Sequence, residues 1–355
     1  MTSILLIRPS ALGDVCRTVP VLVSLRQAYP DAKIDWLIRD TFADAVRSHP
    51  ALTGIVEMKR RQFSDQLKRL QFRDFRNWMA DLSSRRYDIA LDCQGLFRSG
   101  FFAWASGAPR RIGLANAREF GWIWLNERHH VTWDYHSVDR MLELTRLAGI
   151  EPVRDMRLYT SPEGRGYITA DPDLAGKSFA LIAPTSSWPG KQWPADRFAQ
   201  VISWLLAESR VERVVIVGAP SERAAVQPLL DHARTDTRIL DRVGATSIGQ
   251  LMALVEASTF VLANDSAALH MAVGFNRPAI GLYGPTRIHE DGPYDGHNPS
   301  HPVKVIQHLD PSERISPKDG ARAAALMRRI TVEEVQAAIS ALLAAGSFAA
   351  LKAAT

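Results

Sequence analysis

Several features that would quickly assign a protein to a class are missing from this sequence. Its 355 residues include only two cysteines, Cys16 and Cys93, too few for a disulfide framework or a cysteine metal cluster. No apolar run approaches the roughly 18 to 20 residues of a membrane-spanning helix. The N-terminus, MTSILLIRPS, lacks the basic region, long apolar stretch and small-residue cleavage site of a signal peptide. These absences predict a protein of the reducing cytoplasm.

The glycine-rich turn of a dinucleotide-binding domain is also missing. The first apolar segment, ILLI at residues 4–7, opens into PSALGD rather than into Gly-x-Gly-x-x-Gly. The turn holds one glycine, Gly13, and a carboxylate, Asp14. Asp14 has two interpretations: an N-cap for the helix that follows, or a general base that takes a proton from an attacking hydroxyl.

What is present is a repeated alternation of strands and helices. Apolar segments predict strands at SILLIR, KIDWLI, GIVEM, DIALDC and RRIGL in the first half, and at SFALIAP, RVVIVGAP, TRILDRVG, TFVLAND and PAIGLYGP in the second. Helical segments separate them, which favours parallel sheets built from strand–helix–strand units. The length suffices for two cores. We therefore predict an α/β protein with two doubly wound domains.

The domain boundary is predicted within residues 161–178, which are rich in Gly, Pro, Ser and Asp. We assign residues 1–165 and 166–330 to the two domains and residues 331–355 to a C-terminal helix and tail. Thr331 and Glu334 form a capping-box pattern at the start of that helix.

The positive charge of the chain is concentrated in one segment. Residues 57–86 contain nine Lys or Arg and four acids, an excess equal to the net charge of +5. Apolar residues in the segment have helical spacing. A basic amphipathic helical segment can bind an anionic acceptor or lie against anionic lipid headgroups. The alternative is a solvated basic face without a ligand.

Three motifs of the second half follow predicted strands, where parallel sheets bind ligands. In NDSAALH (264–270), small residues at a helix start favour an anion; the alternative is a plain helix cap. In APTSSWPGKQW (183–193), Lys191 is suited to a diphosphate; the alternative is a solvated lysine. In GAPSE (218–222), Glu222 is suited to a ribose diol; the alternative is a residue that favours the helix dipole.

Taken together, these motifs resemble glycosyltransferase family 9, the lipopolysaccharide heptosyltransferases. The resemblance is carried by LLIRPSALGDVCRTVPVL, YDIALDCQGLFRSG, APTSSWPGKQWP, GAPSE and NDSAALHMAVGFNRPAIGLYGPT, and DCQGLFRSG is more similar to heptosyltransferase I than to II. It implies a GT-B fold, two Rossmann-like domains facing a central cleft. It also implies an inverting, metal-independent transfer of heptose from ADP-heptose to a Kdo residue of the lipopolysaccharide inner core, without a cofactor.

The resemblance also implies roles for individual residues. Asp14 matches the catalytic base, and Lys191 the lysine that neutralises the leaving diphosphate. The implied donor-binding residues are Ser186, Ser187, Lys191, Glu222, Asp265, Ser266, Ala267 and His270. The predicted acceptor-binding residues are Arg60, Arg61, Arg69 and Arg73 of the basic segment, together with Gln94 and Arg98 of the DCQGLFRSG motif. Ala267 departs from the family, which usually has glycine there, and its methyl group narrows the approach to the phosphate.

The implied partners are an ADP-sugar, an anionic Kdo-lipid A acceptor and the inner-membrane surface, with no nucleic acid. The expected location is therefore the cytoplasm, with peripheral attachment to the cytoplasmic face of the inner membrane. Two alternatives stay open: a family member with another nucleotide-sugar or acceptor, as in heptosyltransferase II, and a GT-B sugar-nucleotide epimerase. A basic nucleic-acid-binding protein is disfavoured because no module signature of that class occurs.

Overall fold

The computed structural model describes residues 1–68, 72–296, 302–310 and 312–344. The chain divides into two compact units, Met1–Tyr159 and Thr160–Thr355. The division lies six residues before the boundary expected from the sequence. A helix occupies Pro162–Ala170, so the expected boundary would cut a secondary-structure element.

The N-terminal unit is a six-stranded parallel sheet with helices between its strands. The strands are β1 (Ser3–Ile7), β2 (Lys33–Arg39), β3 (Gly54–Met58), β4 (Ile89–Asp92), β5 (Arg110–Leu114) and β6 (Glu127–His129). The helices are α1 (Leu12–Ala28), α2 (Arg60–Lys68), α3 (Arg73–Ser84), α4 (Phe97–Ala105) and α5 (Ser137–Leu147), with 3₁₀ segments at Asp40–Ala45 and Arg118–Trp124. Residues 4–7 of β1 are fully buried, as expected for a central strand covered on both faces.

The C-terminal unit repeats this plan. Its strands are β7 (Phe179–Ala183), β8 (Arg213–Ile216), β9 (Ile239–Asp241), β10 (Phe260–Asn264), β11 (Ala279–Tyr283) and β12 (Val303–Gln307). Its helices are α6 (Pro162–Ala170), α7 (Ala195–Ala207), α8 (Gln227–Ala233), α9 (Ile248–Ala257), α10 (Ala267–Gly274), α11 (Ile288–Asp291), α12 (Gly320–Arg328) and α13 (Val332–Ala344). Short 3₁₀ segments occur at Pro189–Lys191 and Pro220–Val226.

The two sheets have equivalent strand orders, β3-β2-β1-β4-β5-β6 and β12-β11-β10-β7-β8-β9. Each is the Rossmann order, and in each the direction of winding reverses between two central strands. These strands are β1 and β4 in the first unit and β7 and β10 in the second. Two doubly wound α/β units confirm the predicted fold class. Ligands of such sheets bind beyond the carboxyl ends of the two strands, so these switch points are the places to look for a site.

The basic segment 57–86 forms the end of β3 and the two helices α2 and α3 rather than one helix. Its aromatic side chains point into the protein: the ring of Phe63 lies 5.3 Å from Phe75 and 5.5 Å from Trp78, and Trp78 lies 5.3 Å from Phe102 of α4. Because this apolar face packs against the N-terminal core, only the polar and basic face remains for an external partner.

Candidate functional site

The first switch point contains Asp14, in the first turn of α1. The helix begins at Leu12, inside the predicted turn and three residues before the predicted start at Val15, so Asp14 lies inside the helix. One carboxylate oxygen accepts a hydrogen bond from the backbone N–H of Ala11 at 3.1 Å and lies 3.0 Å from a guanidinium nitrogen of Arg8. The other accepts a hydrogen bond from Arg17. Asp14 therefore caps the helix, yet its side chain keeps 23% of its surface exposed.

The charge state of Asp14 is set by the two arginines. Burial raises the pKa of Asp14, but the positive charges of Arg8 and Arg17 outweigh burial and hold this pKa well below its ordinary range. The side chain is therefore a carboxylate at any physiological pH. The sequence analysis missed both arginines. Their positions in the sequence could have indicated them, because Arg8 directly follows β1 and Arg17 is three residues after Asp14, on the same face of the helix.

The loop after β4 meets the loop after β1. The side-chain oxygen of Gln94 accepts a hydrogen bond from the N–H of Ser10 at 3.3 Å, which places this predicted acceptor residue beside the loop that carries Asp14. The loop is organised by the fully buried Asp92, which was not predicted. Its carboxylate accepts hydrogen bonds from the N–H groups of Gln94 and Gly95 (2.9 and 3.2 Å) and from the Ser99 hydroxyl (2.9 Å). Burial raises the pKa of Asp92 to about 6.

Three of the predicted acceptor arginines form a group with Arg39, a residue that the sequence analysis missed. Burial and the nearby charge of Arg60 lower the pKa of both Arg39 and Arg98, and the charge of Arg61 also acts on Arg39. Arg39 is the last residue of β2, and the other three follow β3 and β4 in the sequence. Within residues 1–68, 72–296, 302–310 and 312–344, none of their guanidinium groups has a carboxylate partner within 4 Å. The charges of Asp40 and Glu119 oppose part of this effect on the pKa values of Arg39 and Arg98. The arginine group is nevertheless a concentration of positive charge without a direct carboxylate partner among the described residues, which is suited to an anion.

The other two predicted acceptor arginines are placed differently. The side chain of Arg73 is 89% exposed and lies 3.7 Å from Asp74, so it does not belong to the arginine group. Arg69 lies outside the described residues.

The second switch point brings together residues from the loops after β7, β10 and β11. The Lys191 ammonium lies 2.6 Å from a carboxylate oxygen of Asp265, and the hydroxyl of Thr286 donates to the same oxygen at 2.6 Å. The Ser186 hydroxyl donates to the backbone carbonyl of Asp265 at 2.8 Å. Thr286 was missed, although the GPT that follows β11 carried the signal.

Asp265 is ionised although it is largely buried. Burial raises its pKa, but the charge and hydrogen bond of Lys191 outweigh burial, and the Thr286 hydroxyl and the imidazole of His270 act in the same direction. The net result is a pKa below the ordinary range. His270 itself is 3% exposed, one turn into α10, and therefore acts on the site from behind it.

The start of α10 offers hydrogen-bonding groups to a ligand. Ser266 is the N-cap residue, but its side chain makes no capping hydrogen bond. Its hydroxyl oxygen is buried and has no hydrogen-bond partner among the described residues. Ala267 is the first helical residue, and the N–H groups of a first helical turn have no partner within the helix. A hydroxyl and a helix N-terminus at one position suit a phosphate oxygen.

Glu222 is held at the adjacent strand end. One of its carboxylate oxygens accepts hydrogen bonds from the Thr185 hydroxyl at 2.7 Å and from the N–H of Ala219 at 2.8 Å. This ties the loop after β8 to the loop after β7 and orients the carboxylate. Ser187, the remaining predicted donor residue, is exposed beside Ser186.

The loop that carries Lys191 is anchored by the buried side chain of Trp193. Trp193 is 2% exposed; its N–H donates to the Asn264 side chain at 3.1 Å and its indole N–H to the Ile330 carbonyl at 3.0 Å. Gly190 packs so closely that an added Cβ would lie 2.6 Å from Ala323 and 2.8 Å from the carbonyl of Pro317. A glycine is therefore required beside Lys191.

Each switch point thus brings together some of the residues predicted for it: Asp14 and Gln94 in the first unit, and Ser186, Lys191, Asp265 and Ser266 in the second. In the part of the chain that the structure describes, no group of three or more His, Cys, Asp or Glu residues is placed to hold a metal ion. Over the same part, none of the helices combines the length and the apolar character of a transmembrane segment.

Comparison with known proteins gives consistent matches. The model of glycosyltransferase family 9 (heptosyltransferase) matches residues 76–303. Lipopolysaccharide heptosyltransferase 1 of Escherichia coli is 27% identical over 301 residues, covering 80% of this chain and 88% of that protein. Lipopolysaccharide heptosyltransferase 2 of the same organism is 24% identical over 333 residues, covering 90% and 91%. The structure of E. coli heptosyltransferase WaaC with ADP-2-deoxy-2-fluoro heptose superposes with a TM-score of 0.75 at 22% identity, covering 96% of this chain and 99% of that one.

Proposed function

Because this chain belongs to glycosyltransferase family 9, the heptosyltransferases, we propose that it transfers heptose from ADP-heptose to a Kdo residue of the lipopolysaccharide inner core. The proposed reaction inverts the anomeric centre and needs no metal ion or other cofactor. The N-terminal unit is the proposed acceptor domain and the C-terminal unit the proposed nucleotide-sugar domain. The curated relatives support this choice by name, since they are lipopolysaccharide heptosyltransferases.

The observation that carries the proposal is the ion pair of Lys191 and Asp265 beside the start of α10. An ammonium group has three donors, so Lys191 can contact a diphosphate while it keeps its 2.6 Å contact with Asp265. The Ser266 hydroxyl and the N–H of Ala267 face the same negative charge. Asp265 is then free on its other oxygen to accept hydrogen bonds from heptose hydroxyls, and Glu222 to accept them from the ribose. Ser186 and Ser187 complete the proposed donor site.

The proposed chemistry is a single displacement. The acceptor hydroxyl oxygen forms a bond to the anomeric carbon of heptose as the bond from that carbon to the diphosphate breaks. The proton of the hydroxyl passes to Asp14, and the electron pair of the broken bond leaves with ADP. Lys191 and the start of α10 stabilise the negative charge that develops on the diphosphate. In other transferases a metal ion stabilises this charge.

The environment of Asp14 keeps its carboxylate ionised at every physiological pH, but it also makes the carboxylate a weak base. Arg8 and Arg17 keep its pKa well below the ordinary range, so the carboxylate is ready to accept a proton at any physiological pH. A weak base cannot deprotonate a free sugar hydroxyl in advance. The proton must therefore move while the carbon–oxygen bond forms, when the attacking oxygen becomes acidic.

The acceptor is proposed to be an anionic Kdo-lipid A. Arg60, Arg61 and Arg98 support this part of the proposal because they lack carboxylate partners within the described residues, and Gln94 lies beside the loop of Asp14. Arg73 is assigned the same role with less support, since it lies near Asp74, and Arg69 is retained from the sequence pattern. A lipid-linked acceptor implies peripheral attachment to the cytoplasmic face of the inner membrane.

The test is ligand-induced thermal stabilisation with ADP, UDP, GDP, ADP-heptose, UDP-GlcNAc and NADH. We expect a shift with ADP and a larger shift with ADP-heptose, because the sugar adds contacts to Asp265. A transfer assay with Kdo-lipid A and with heptosylated Kdo-lipid A then identifies the acceptor. A shift with UDP or GDP compounds alone would contradict the donor, and transfer only to the heptosylated acceptor would make the protein a heptosyltransferase II.

A further inference from the structure

Helix α4 and the 3₁₀ segment Arg118–Trp124 pack against each other unusually closely. A Cβ added to Gly100 of α4 would collide with the carbonyl oxygen of Gly121, and one added to Gly121 would lie 2.6 Å from the backbone of Leu96. Two glycines at one contact let the backbones approach directly. The other side chains of α4 and of the 3₁₀ segment are therefore not needed at this contact and can face away from the protein.

The side chains that these elements present to solvent are large and apolar. Phe97 is 43% exposed, Trp104 50%, Phe120 70% and Ile123 48%. The rings of Phe97, Phe101 and Trp104 are joined through Trp124, which meets Phe97 and Phe101 edge-on at 5.5 and 5.3 Å and Trp104 in a tilted contact at 5.3 Å. We call this surface the aromatic patch; it comprises Phe97, Phe101, Trp104, Phe120, Ile123 and Trp124. A contiguous exposed surface of this kind marks an interaction site.

The most exposed residue of the patch is held in an unfavourable backbone conformation. Glu119 and Phe120 have φ angles of 55° and 59°, in the left-handed region that bulky side chains rarely adopt. This backbone conformation is not offset by burial of the side chain, because the Phe120 ring faces solvent. Strained residues of this type are found where a function requires the geometry, and here the geometry projects an aromatic ring outward.

Two arginines lie close to the patch along the chain, because Arg118 is two residues before Phe120 and Arg128 contacts Trp122, the residue before Ile123. The guanidinium groups of Arg118 and Arg128 lie over the rings of Trp133 and Trp122, at 5.4 Å in each case. Both arginines are exposed, and in the described part of the chain neither forms an ion pair with a carboxylate. Aromatic rings with unpaired arginines close to them match the interface of a bilayer, where rings enter the headgroup region and cations meet lipid phosphates.

We propose that the aromatic patch docks onto the interfacial layer of a phospholipid bilayer that carries anionic headgroups. The basic segment of α2 and α3 offers less apolar surface for such a contact, because Phe63, Phe75 and Trp78 pack against the core. The patch also begins close to the proposed acceptor site, since α4 starts three residues after Gln94. The link between the patch and the acceptor site rests on the proposed function, in which the acceptor is a lipid. The docking of the patch onto a bilayer does not depend on that function.

The experiment is co-sedimentation of the full chain with phosphatidylcholine vesicles that contain or lack phosphatidylglycerol. We expect binding to the anionic vesicles, and a loss of at least about tenfold in the partition coefficient for Phe120→Ser/Ile123→Ser, which removes two apolar anchors. The matched control is Leu147→Ser, since Leu147 is 37% exposed but lies at the end of α5, outside both the patch and the basic segment. Arg118→Gln/Arg128→Gln should reduce the preference for phosphatidylglycerol. Thermal unfolding checks that each variant is folded.

Unchanged vesicle binding by the folded Phe120→Ser/Ile123→Ser variant would overturn the proposal. So would a wild-type dimer, seen by sedimentation velocity without lipid, that this variant dissociates, because the patch would then be an interface between copies. The ADP-induced thermal shift is measured on the same samples. If wild type shows no such shift but its vesicle binding depends on Phe120, the proposed function fails and the membrane surface stands.

Discussion

The two switch points have the same strand order but hold their carboxylates with different cations. In the first unit, Asp14 lies between the guanidinium groups of Arg8 and Arg17. In the second, Asp265 is paired with the Lys191 ammonium and the Thr286 hydroxyl. Arginine is always charged and holds a carboxylate in a fixed planar geometry, whereas the lysine ammonium is compact and can turn its three donors to different acceptors. The same fold thus holds Asp14 in one charged position, as a locked carboxylate, and leaves Lys191 as a shared cation that can contact both Asp265 and a ligand.

The difference separates the expected roles. A locked carboxylate keeps one charge and one position, which suits a base that acts only when the acceptor attacks. A shared cation can serve both the resting protein and the bound diphosphate, which suits a residue that contributes to donor binding as well as to the reaction. Variants at the two switch points should therefore differ in which kinetic constant they change.

Asp14→Asn should have the largest effect. The amide keeps the shape of the side chain and can still accept a hydrogen bond, but it cannot take a proton. We expect kcat to fall by roughly 10² to 10⁴, the usual contribution of a general base, while the dissociation constant of ADP-heptose stays unchanged. Initial rates with Kdo-lipid A and calorimetric titration of the donor measure the two quantities.

The control for this variant is Asp31→Asn, because Asp31 is exposed and precedes β2, at the opposite edge of the sheet. It should leave both quantities unchanged. If Asp14→Asn turned over at close to the wild-type rate, Asp14 would be a helix cap alone and the base would have to be sought elsewhere.

Lys191→Ala should have the next largest effect and should change binding as well as turnover. Loss of a charged donor to the diphosphate costs about 1.5–3 kcal/mol, so ADP should bind roughly ten- to a hundredfold more weakly. The free protein should also lose stability, because Asp265 keeps only its hydroxyl partner while 11% exposed. Calorimetry with ADP and thermal unfolding without ligand test both expectations.

Lys304→Ala is the matched control, since Lys304 is an exposed residue of β12. Unaltered ADP affinity in Lys191→Ala would show that the ion pair with Asp265 is purely structural. The contrast between the switch points would then lose its functional meaning.

Most of the fold could be predicted from the sequence because the central strands are buried on both faces and form continuous apolar runs. All ten predicted strands occur, most of them shortened, by up to five residues at TRILDRVG, where β9 spans only Ile239–Asp241. The two that were missed, β6 and β12, are the edge strands on one side of each sheet. Their sequences, ERH and VKVIQ, are short or interrupted by charge, and an edge strand needs no apolar run.

The site was predictable where one loop carried several signals and not where partners came from distant segments. Lys191 and Asp265 stood out in their motifs, but nothing local indicated that they pair with each other across 74 residues. Arg39 is the last residue of β2 and resembles an ordinary polar strand end; only the structure places its charge near Arg60 and Arg98. The aromatic patch was missed because helical spacing does not show which face of α4 meets solvent.

Arg17→Gln should have the smallest effect at neutral pH and the most specific one at low pH. Removal of one of the two charges should raise the pKa of Asp14 towards its ordinary value, since Arg17 helps to hold it down. A carboxylate with a depressed pKa stays ionised as the pH falls, so wild-type kcat/KM should show no acid limb from Asp14 between roughly pH 5 and 8. In the variant, that limb should move upward towards this range, with activity lost as the pH falls.

Arg17→Lys separates charge from geometry. It keeps the positive charge but not the guanidinium, which in wild type also donates to the Ser137 hydroxyl at 2.9 Å. If charge sets the pKa of Asp14, the lysine variant should keep the wild-type acid limb even where its kcat is lower. If both variants shift the limb equally, the fixed geometry of the arginine controls Asp14; if a folded Arg17→Gln shows no shift, Arg8 alone holds the carboxylate.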